Sequence, residues 1–394
     1  MTRSVLRKHA YHRPGTAPGT YDIAATRDTP PGHIELIEYD ADHYTKSDGL
    51  ASLASTQQLG SRWIQIDGPP SLDVLETVRR HYGIDPLVLE DIVNQGQRPK
   101  FNDYGNAVFI TVSVPHPALM QPSLRHEASD DLKVPGHALY RQISIFVTDG
   151  LLITFMEQEA ALFDPIEDRL RRAGGRLRTR DVYFLAHALI DLAIDTLFPL
   201  IDRTAEQLEA LESAIMQHPD EAMLLATHQF RSRLLVMRRI AWATREVVNE
   251  FRRHAEEVTS GAIRPFLEDA HDHIVSAVDL IETQRDIATN LIEVYLSVIS
   301  NRMNDVIRVL TIIATLFIPP TFLVGLYGMN FDPDAGPLSM PELSWSLGYA
   351  GVIAIIGVSM IGMLIYFRHR GWLGRMRPRR YREPSNGTPN EAQR

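Results

Sequence analysis

Apolar residues crowd into two stretches near the C-terminus, over positions 309–326 and 347–367, and neither contains a Lys, Arg, Asp or Glu. Each approaches or reaches the roughly 20 residues that span a hydrocarbon core, so the pattern predicts two membrane helices and no others. Upstream the spacing is different. Over positions 34–155, short β-rich runs (34–39, 63–66, 107–114, 142–148 and 151–155) alternate with turn residues and helical pieces, which predicts a mixed α/β domain. The stretch 115–136, dense in Pro, His and Ser, reads as a loop between two of its strands. After Gly174-Gly175 apolar residues recur at helical spacing from Asp181 onward, with breaks near His218-Pro219 and Ser260-Gly261, which predicts three long helices.

The third of these helices is the informative one. No Gly or Pro occurs between Phe266 and Ile318, so one helix of about 53 residues can run for roughly 80 Å. Such a rod exceeds any single domain and is expected to leave the soluble part and become the first membrane span. The expected organisation is a disordered tail over 1–32, a cytoplasmic α/β domain over 33–175 and a long-helix stalk over 176–305. A pore-lining first span over 306–327, an external loop over 328–346, a second span over 347–367 and a basic tail over 368–394 follow.

Charge sets the expected orientation. The tail from Arg368 carries eight Arg against Glu383 and Glu391, whereas the segment joining the two spans holds Asp332, Asp334 and Glu342 and no Lys or Arg. The positive-inside rule places the tail in the cytoplasm, and two crossings return the large N-terminal region to the same side. The chain has no cysteine, which excludes disulfides and thiolate metal sites and leaves oxygen and imidazole as metal ligands. The net charge is −9 although the tail is itself positive, so the large N-terminal region is acidic, which argues against nucleic acid as a partner. The first 31 residues are basic and lack an apolar core, so they do not read as a secretory signal.

Two helices cannot enclose an aqueous path, so a channel built from them requires several copies of the chain. On the long helix Asn304, Ile307, Leu310, Ala314, Phe317, Ile318 and Thr321 recur at three- or four-residue steps on about one face. That stripe is polar at its ends and apolar between. It suits a pore lining gated by dewetting at Ile307 and Leu310, and it suits equally a face packed against a neighbouring helix. Gly325 and Gly328 allow a sharp turn where the span ends, and Asn330 then offers an amide oxygen at the mouth. Mg²⁺ sheds its water shell reluctantly, so a ring of such oxygens would hold the hydrated ion weakly enough to release it.

These residues resemble the CorA family of divalent-cation transport proteins. The likeness is carried by Leu310-Thr311-Ile312-Ile313-Ala314-Thr315 through Pro319, by Tyr327-Gly328-Met329-Asn330-Phe331, and by Met340-Pro341-Glu342-Leu343 with Trp345. Upstream it is carried by Pro86-Leu87-Val88-Leu89-Glu90-Asp91-Ile92, Gln97-Arg98-Pro99-Lys100 and Glu293-Val294-Tyr295-Leu296-Ser297. The resemblance implies a funnel-shaped homopentamer of an α+β membrane protein in the cell (inner) membrane, conducting Mg²⁺ and tolerating Co²⁺ or Ni²⁺, with no organic cofactor and no enzymatic activity. Asn330 would be the selectivity residue, shaped by Tyr327, Gly328 and Met329. Asn304 and Thr321 match polar pore positions, and Ile307 and Leu310 match the gate. Regulatory Mg²⁺ sites of the family fall on Asp91 and Asp269, with Glu90 adjacent. Entry would be passive, since two charges crossing about 100 mV gain roughly 4.6 kcal/mol.

The chain departs from the family's pattern in the acidic, proline-rich segment 332–339 and in the cluster Glu268, Asp269, His271, Asp272 and His273. Because His271 and His273 lie two apart and cannot share a helix face, that cluster reads as solvated helix surface. A zinc-handling branch of the same superfamily and a two-span membrane-anchored sensor are the alternative functions. His187, His228 and His254 sit at scattered helical positions without a nucleophile, base and acid grouped around them, which reads against an enzyme.

Overall fold

The structure is a computed structural model that describes residues 33–49, 60–94, 96–116, 139–156, 161–259, 262–330 and 345–373, with positions 17, 19, 119, 336 and 340. Most of the expected tail over 1–32, most of the segment 115–136, Phe331, most of the acidic insertion 332–339 and the basic tail from 374 lie outside the described residues. The chain divides into two compact units, Met1–Tyr295 and Leu296–Arg394.

The first unit is built on a seven-stranded sheet: β1 (His33–Tyr39), β2 (Tyr44–Asp48), β3 (Ser61–Asp67), β4 (Lys100–Asp103), β5 (Ala107–Pro115), β6 (Tyr140–Thr148) and β7 (Leu151–Met156). Their spatial order is β2-β1-β3-β7-β6-β5-β4. β3 and β7 run parallel, Arg62 opposite Leu151 through Asp67 opposite Met156, and the remaining neighbours are antiparallel. β5 is buried along its whole length, so apolar residues occupy both of its faces and do not strictly alternate with polar ones. Both faces of the sheet are covered, and that sandwich produces two cores. Ile34, Leu36, Ile64, Ile66, Phe109 and Ile153 pack against α1 (Leu72–Tyr82) and α2 (Pro86–Val93) on one face. Ile37, Trp63, Ile110, Ile145 and Leu152 pack against α3 (Asp164–Arg171), α5 (Val182–Asp195) and α7 (Glu221–Val258) on the other. A single short turn, α4 (Arg176–Thr179), joins α3 to α5.

Local chemistry fixes the helix that carries Asp91. Asp85 caps α2 by accepting the Leu87 N–H at 2.8 Å, and Pro86 supplies a helical φ where no donor is needed. α1 ends at Gly83, whose φ of +66° is the left-handed conformation that a chain reversal requires.

Two expectations are corrected here. The first of the three predicted long helices is interrupted at Thr196 and continues as α6 (Leu197–Gln217). Pro199 has no N–H to return to the Asp195 carbonyl, and the Thr196 hydroxyl donates to the Ala193 carbonyl at 2.7 Å, so the ladder breaks there. The second concerns the count of apolar helices: Val182–Gln217 is also long and apolar enough to cross a membrane, making three such helices among the described residues. Its most apolar window is 67% buried, against 0% and 6% for the other two. Its hydrophobicity serves the core beneath the sheet.

α8 (Arg264–Tyr327) is continuous over 64 residues, and the unit boundary falls within it. It passes through Pro319 and Pro320. Each proline leaves one carbonyl of the preceding turn without its helical donor, a cost the chain tolerates when the flanking turns stay bonded. Thr321 Oγ1 donates to the Phe317 carbonyl at 2.8 Å, and Thr311 Oγ1 to that of Ile307 at 2.8 Å. The second unit also contains α9 (Gly348–His369).

Candidate functional site

Within the second unit every residue of the sequence-predicted stripe is exposed in the single chain. Ile307 is 52% exposed, Leu310 65%, Phe317 55% and Ile318 64%, and Asn304, Ala314 and Thr321 share that state. An apolar face this long has no place against water and requires lipid or further copies of the chain. From Asn304 to Asn330 the rise is about 40 Å, enough to traverse a bilayer core of about 30 Å.

The helix stops where the sequence motif begins. Gly328 N–H still donates to the Val324 carbonyl at 2.8 Å and Met329 N–H to the Leu326 carbonyl at 3.3 Å. Tyr327 is half-buried, whereas Gly328, Met329 and Asn330 are exposed. Carbonyls of a last helical turn lack helical donors and carry the negative end of the macrodipole, so the position just past α8 favours a cation. Asn330 adds an uncharged amide to that end.

The sequence-predicted regulatory residues are placed separately within one chain. Asp91 is paired at the C-terminal end of α2: Lys100 Nζ donates to it at 2.5 Å and Gln97 Nε2 at 2.6 Å. Glu90 accepts the Gly19 N–H at 2.7 Å. Asp269 lies on α8, 70% exposed, with His273 Nε2 at 3.9 Å.

The structure brings together a set that the sequence reading missed. Asp191 and Asp195 on α5 and His273 on α8 offer ligand atoms all within 4.8 Å of one another. His273 Nδ1 is 3.9 Å from Asp191 Oδ1, so this histidine faces α5, which corrects the expectation that the whole Glu268 to His273 cluster is solvated surface. His271 points elsewhere, its Nδ1 3.6 Å from Asp272. The available signal was a pair of i,i+4 repeats, Asp191 with Asp195 and Asp269 with His273, whose adjacency only the packing of α5 on α8 reveals. Among the described residues the other comparable group is His33, Glu35 and Asp48, where Lys46 Nζ already holds Glu35 at 2.7 Å.

Burial dominates the electrostatics of the α5 pair. Burial raises the Asp191 carboxyl above its ordinary range, and the nearby Asp269 charge adds to the rise while His273 opposes it. Asp195 is raised by burial and then by Asp191. Asp191 Oδ1 and His273 Nδ1 make no hydrogen bond. His187, one turn before Asp191, donates Nε2–H to the Phe266 carbonyl at 2.9 Å, and burial lowers its pKa. A carboxylate whose folded pKa is raised binds more protons folded than unfolded, so its penalty is present at neutral pH and relieved as pH falls through the raised value. Asp191→Asn is therefore expected to raise the thermal midpoint of protein in EDTA at pH 7 and to flatten the gain on acidification toward pH 5. An unchanged midpoint and an unchanged pH slope would show that Asp191 bears no such penalty.

The family described as CorA-like Mg²⁺ transporter protein matches positions 59–369. The cobalt/magnesium transport protein CorA of Thermotoga maritima is 33% identical over 366 residues, covering 89% of this chain and 99% of its own. The solved structure of the CorA magnesium transporter from Methanocaldococcus jannaschii is similar at a TM-score of 0.68 and 19% identity, over 86% of this chain and 98% of that one. The ZntB cytoplasmic domain from Vibrio parahaemolyticus shares the fold more distantly, with a TM-score of 0.50 and 13% identity over 70% of this chain and 100% of the domain.

Proposed function

The chain belongs to the family of CorA-like Mg²⁺ transporter proteins, and from that premise we propose that it is a passive Mg²⁺ channel of the inner membrane, with Co²⁺ and Ni²⁺ as secondary cargo. Copies of the chain, five in this reading, surround one axis with α8 as the lining and α9 toward lipid, and both termini lie in the cytoplasm. The observation that carries the proposal is the exposed apolar face of α8 ending directly in Gly328-Met329-Asn330. A ring of Asn330 amides beside several helix C-termini attracts a dication and bonds to its coordinated water without stripping it. Below it Thr321 and Asn304 offer polar stations, and the rings of Leu310 and Ile307 between them close the path by excluding water. Two charges moving across about 100 mV gain roughly 4.6 kcal/mol, so no nucleotide is consumed.

Opening is governed by cytoplasmic Mg²⁺. Asp269, together with Asp191, Asp195 and His273, forms one half of a sensor, and Asp91 and Glu90 of a neighbouring copy form the other. Empty, these carboxylates repel one another, whereas a bound dication neutralises them and holds the subunits in a closed arrangement. The Lys100 ammonium on Asp91 is the in-chain substitute for that cation, which Mg²⁺ must displace to bind there.

Cobalt hexaammine, which has the size of hydrated Mg²⁺ and cannot shed its ligands, is expected to block uptake by the reconstituted protein. Continued uptake under saturating cobalt hexaammine would mean that the hydrated ion is not what Asn330 recognises. Asp269→Asn is expected to leave maximal uptake in place and to shift half-inhibition by internal Mg²⁺ upward by about tenfold, the equivalent of about 1.4 kcal/mol. An unshifted inhibition curve would remove Asp269 from the sensor.

A further inference from the structure

A buried glutamine on β6 has no part in the transport reading. Gln142 stands opposite Ser113 in the sheet, is 5% exposed, and turns its side chain toward α2. A carboxamide carries two donor hydrogens and an oxygen with two lone pairs, so once buried it asks for four partners. Gln142 has all four. Its Oε1 accepts the Gly96 N–H at 2.7 Å and the Gln97 N–H at 3.0 Å, and its Nε2 donates to the Asp91 carbonyl at 3.1 Å and to Ser144 Oγ at 3.0 Å.

Three of these partners lie on the segment that presents Asp91. The Asp91 carbonyl belongs to the last turn of α2, where helical donors run out, and Gly96 and Gln97 lead from there toward β4. One side chain therefore closes the helix end and fixes the loop behind it. From that loop Gln97 Nε2 reaches back to Asp91 Oδ1 at 2.6 Å, while Lys100 Nζ takes Asp91 Oδ2 at 2.5 Å. Both oxygens of the carboxylate are engaged within the chain. A carboxylate at position 142 accepts without donating, an aliphatic group does neither, and Asn is one methylene shorter, so the clamp needs the glutamine amide.

We propose that Gln142 is a positioning residue that sets how much Mg²⁺ the sensor needs: by holding Gln97 against Asp91, it makes the dication displace a carboxylate that is already bound. This rests on the reading of Asp91 as a sensor ligand. Because the Gln97 backbone is ordered in advance, little chain entropy opposes its charge-assisted bond to Asp91.

The full chain is reconstituted in vesicles, and half-inhibition of uptake by internal Mg²⁺ is read. Gln142→Met nearly keeps the volume and removes the four bonds, so Gln97 is released and half-inhibition is expected at about tenfold lower Mg²⁺. That direction is opposite to the one expected for Asp269→Asn, whereas a merely damaged sensor would inhibit less readily. Beside Asp91→Asn the shift is expected to vanish, since no carboxylate remains for Gln97 to hold. An unchanged or raised half-inhibition overturns the proposal, as does a shift that persists in the Asp91→Asn background.

Should Gln142→Met fail to assemble, Gly96→Ala decides. Gly96 has a φ of +78°, which alanine adopts only with strain, so this substitution displaces the loop and leaves the sheet intact. It is expected to lower half-inhibition in the same way, and an unchanged curve overturns the clamp. Asp91→Asn alone separates the two levels. If it leaves inhibition as in the parent, the sensor reading falls and the clamp with it; if it raises half-inhibition while Gln142→Met and Gly96→Ala do nothing, the sensor stands and Gln142 has no positioning role.

Discussion

Asn330→Ala is expected to reduce Mg²⁺ uptake by reconstituted protein by about two orders of magnitude or more. Each amide contributes one hydrogen bond of about 1 kcal/mol to the coordinated water. Repeated around a ring, the loss lowers occupancy at the mouth on the order of a thousandfold. The residue is exposed and lies past the last turn of α8, so truncating it removes no packing from the helix. Oligomer size and thermal midpoint should therefore match the parent, which separates a lost ion site from lost assembly. Asn330→Asp provides the opposing case: a ring of charges binds the dication more tightly and slows release. Uptake by Asn330→Ala at the parental rate would refute the assignment of selectivity to this position.

The largest loss of stability is expected at Trp63. Its ring is 0% exposed, its Nε1–H donates to Thr154 Oγ1 at 3.1 Å, and Phe163 meets it edge-on at 5.6 Å. It thereby links β3 to β7, the one parallel pairing among the described residues, and to the start of α3 on the face that also carries α5. Trp63→Ala leaves a large cavity and is expected to cost about 3–5 kcal/mol, a large share of the 5–15 kcal/mol typical of folded domains. Trp63→Phe keeps most of the volume and loses the hydrogen bond, for about 1 kcal/mol. Trp242 is 39% exposed, so Trp242→Ala should change stability far less. Urea unfolding followed by far-UV circular dichroism on detergent-solubilised protein checks the order. Equal midpoints for Trp63→Ala and Trp242→Ala would contradict the core described above.

How far these features were legible depends on the physical signal each residue carries. The five interior strands are visible as apolar runs because both faces of the sheet are covered, and observed β5 (Ala107–Pro115) coincides closely with the run at 107–114. The edge strands β2 and β4, with sequences YTKSD and KFND, went unread because edge positions face water and need no apolar residue. The fold shared with the solved relatives, a mixed α/β domain with long helices, was readable from the switch in periodicity after Gly174-Gly175. Asp191 and His273 lie 82 positions apart in sequence, and no local pattern couples them. Only the packing of α5 against α8 makes the two carboxylates and the imidazole neighbours.

One measurement bears most directly on the account. Purified protein is reconstituted in vesicles enclosing a Mg²⁺-sensitive dye, and an inside-negative potential is imposed with potassium and valinomycin. The account predicts uptake without nucleotide, rising with the imposed potential, from particles that contain several copies of the chain. Vesicles that admit no dication at any potential, or detergent-solubilised protein that is strictly monomeric, would contradict it.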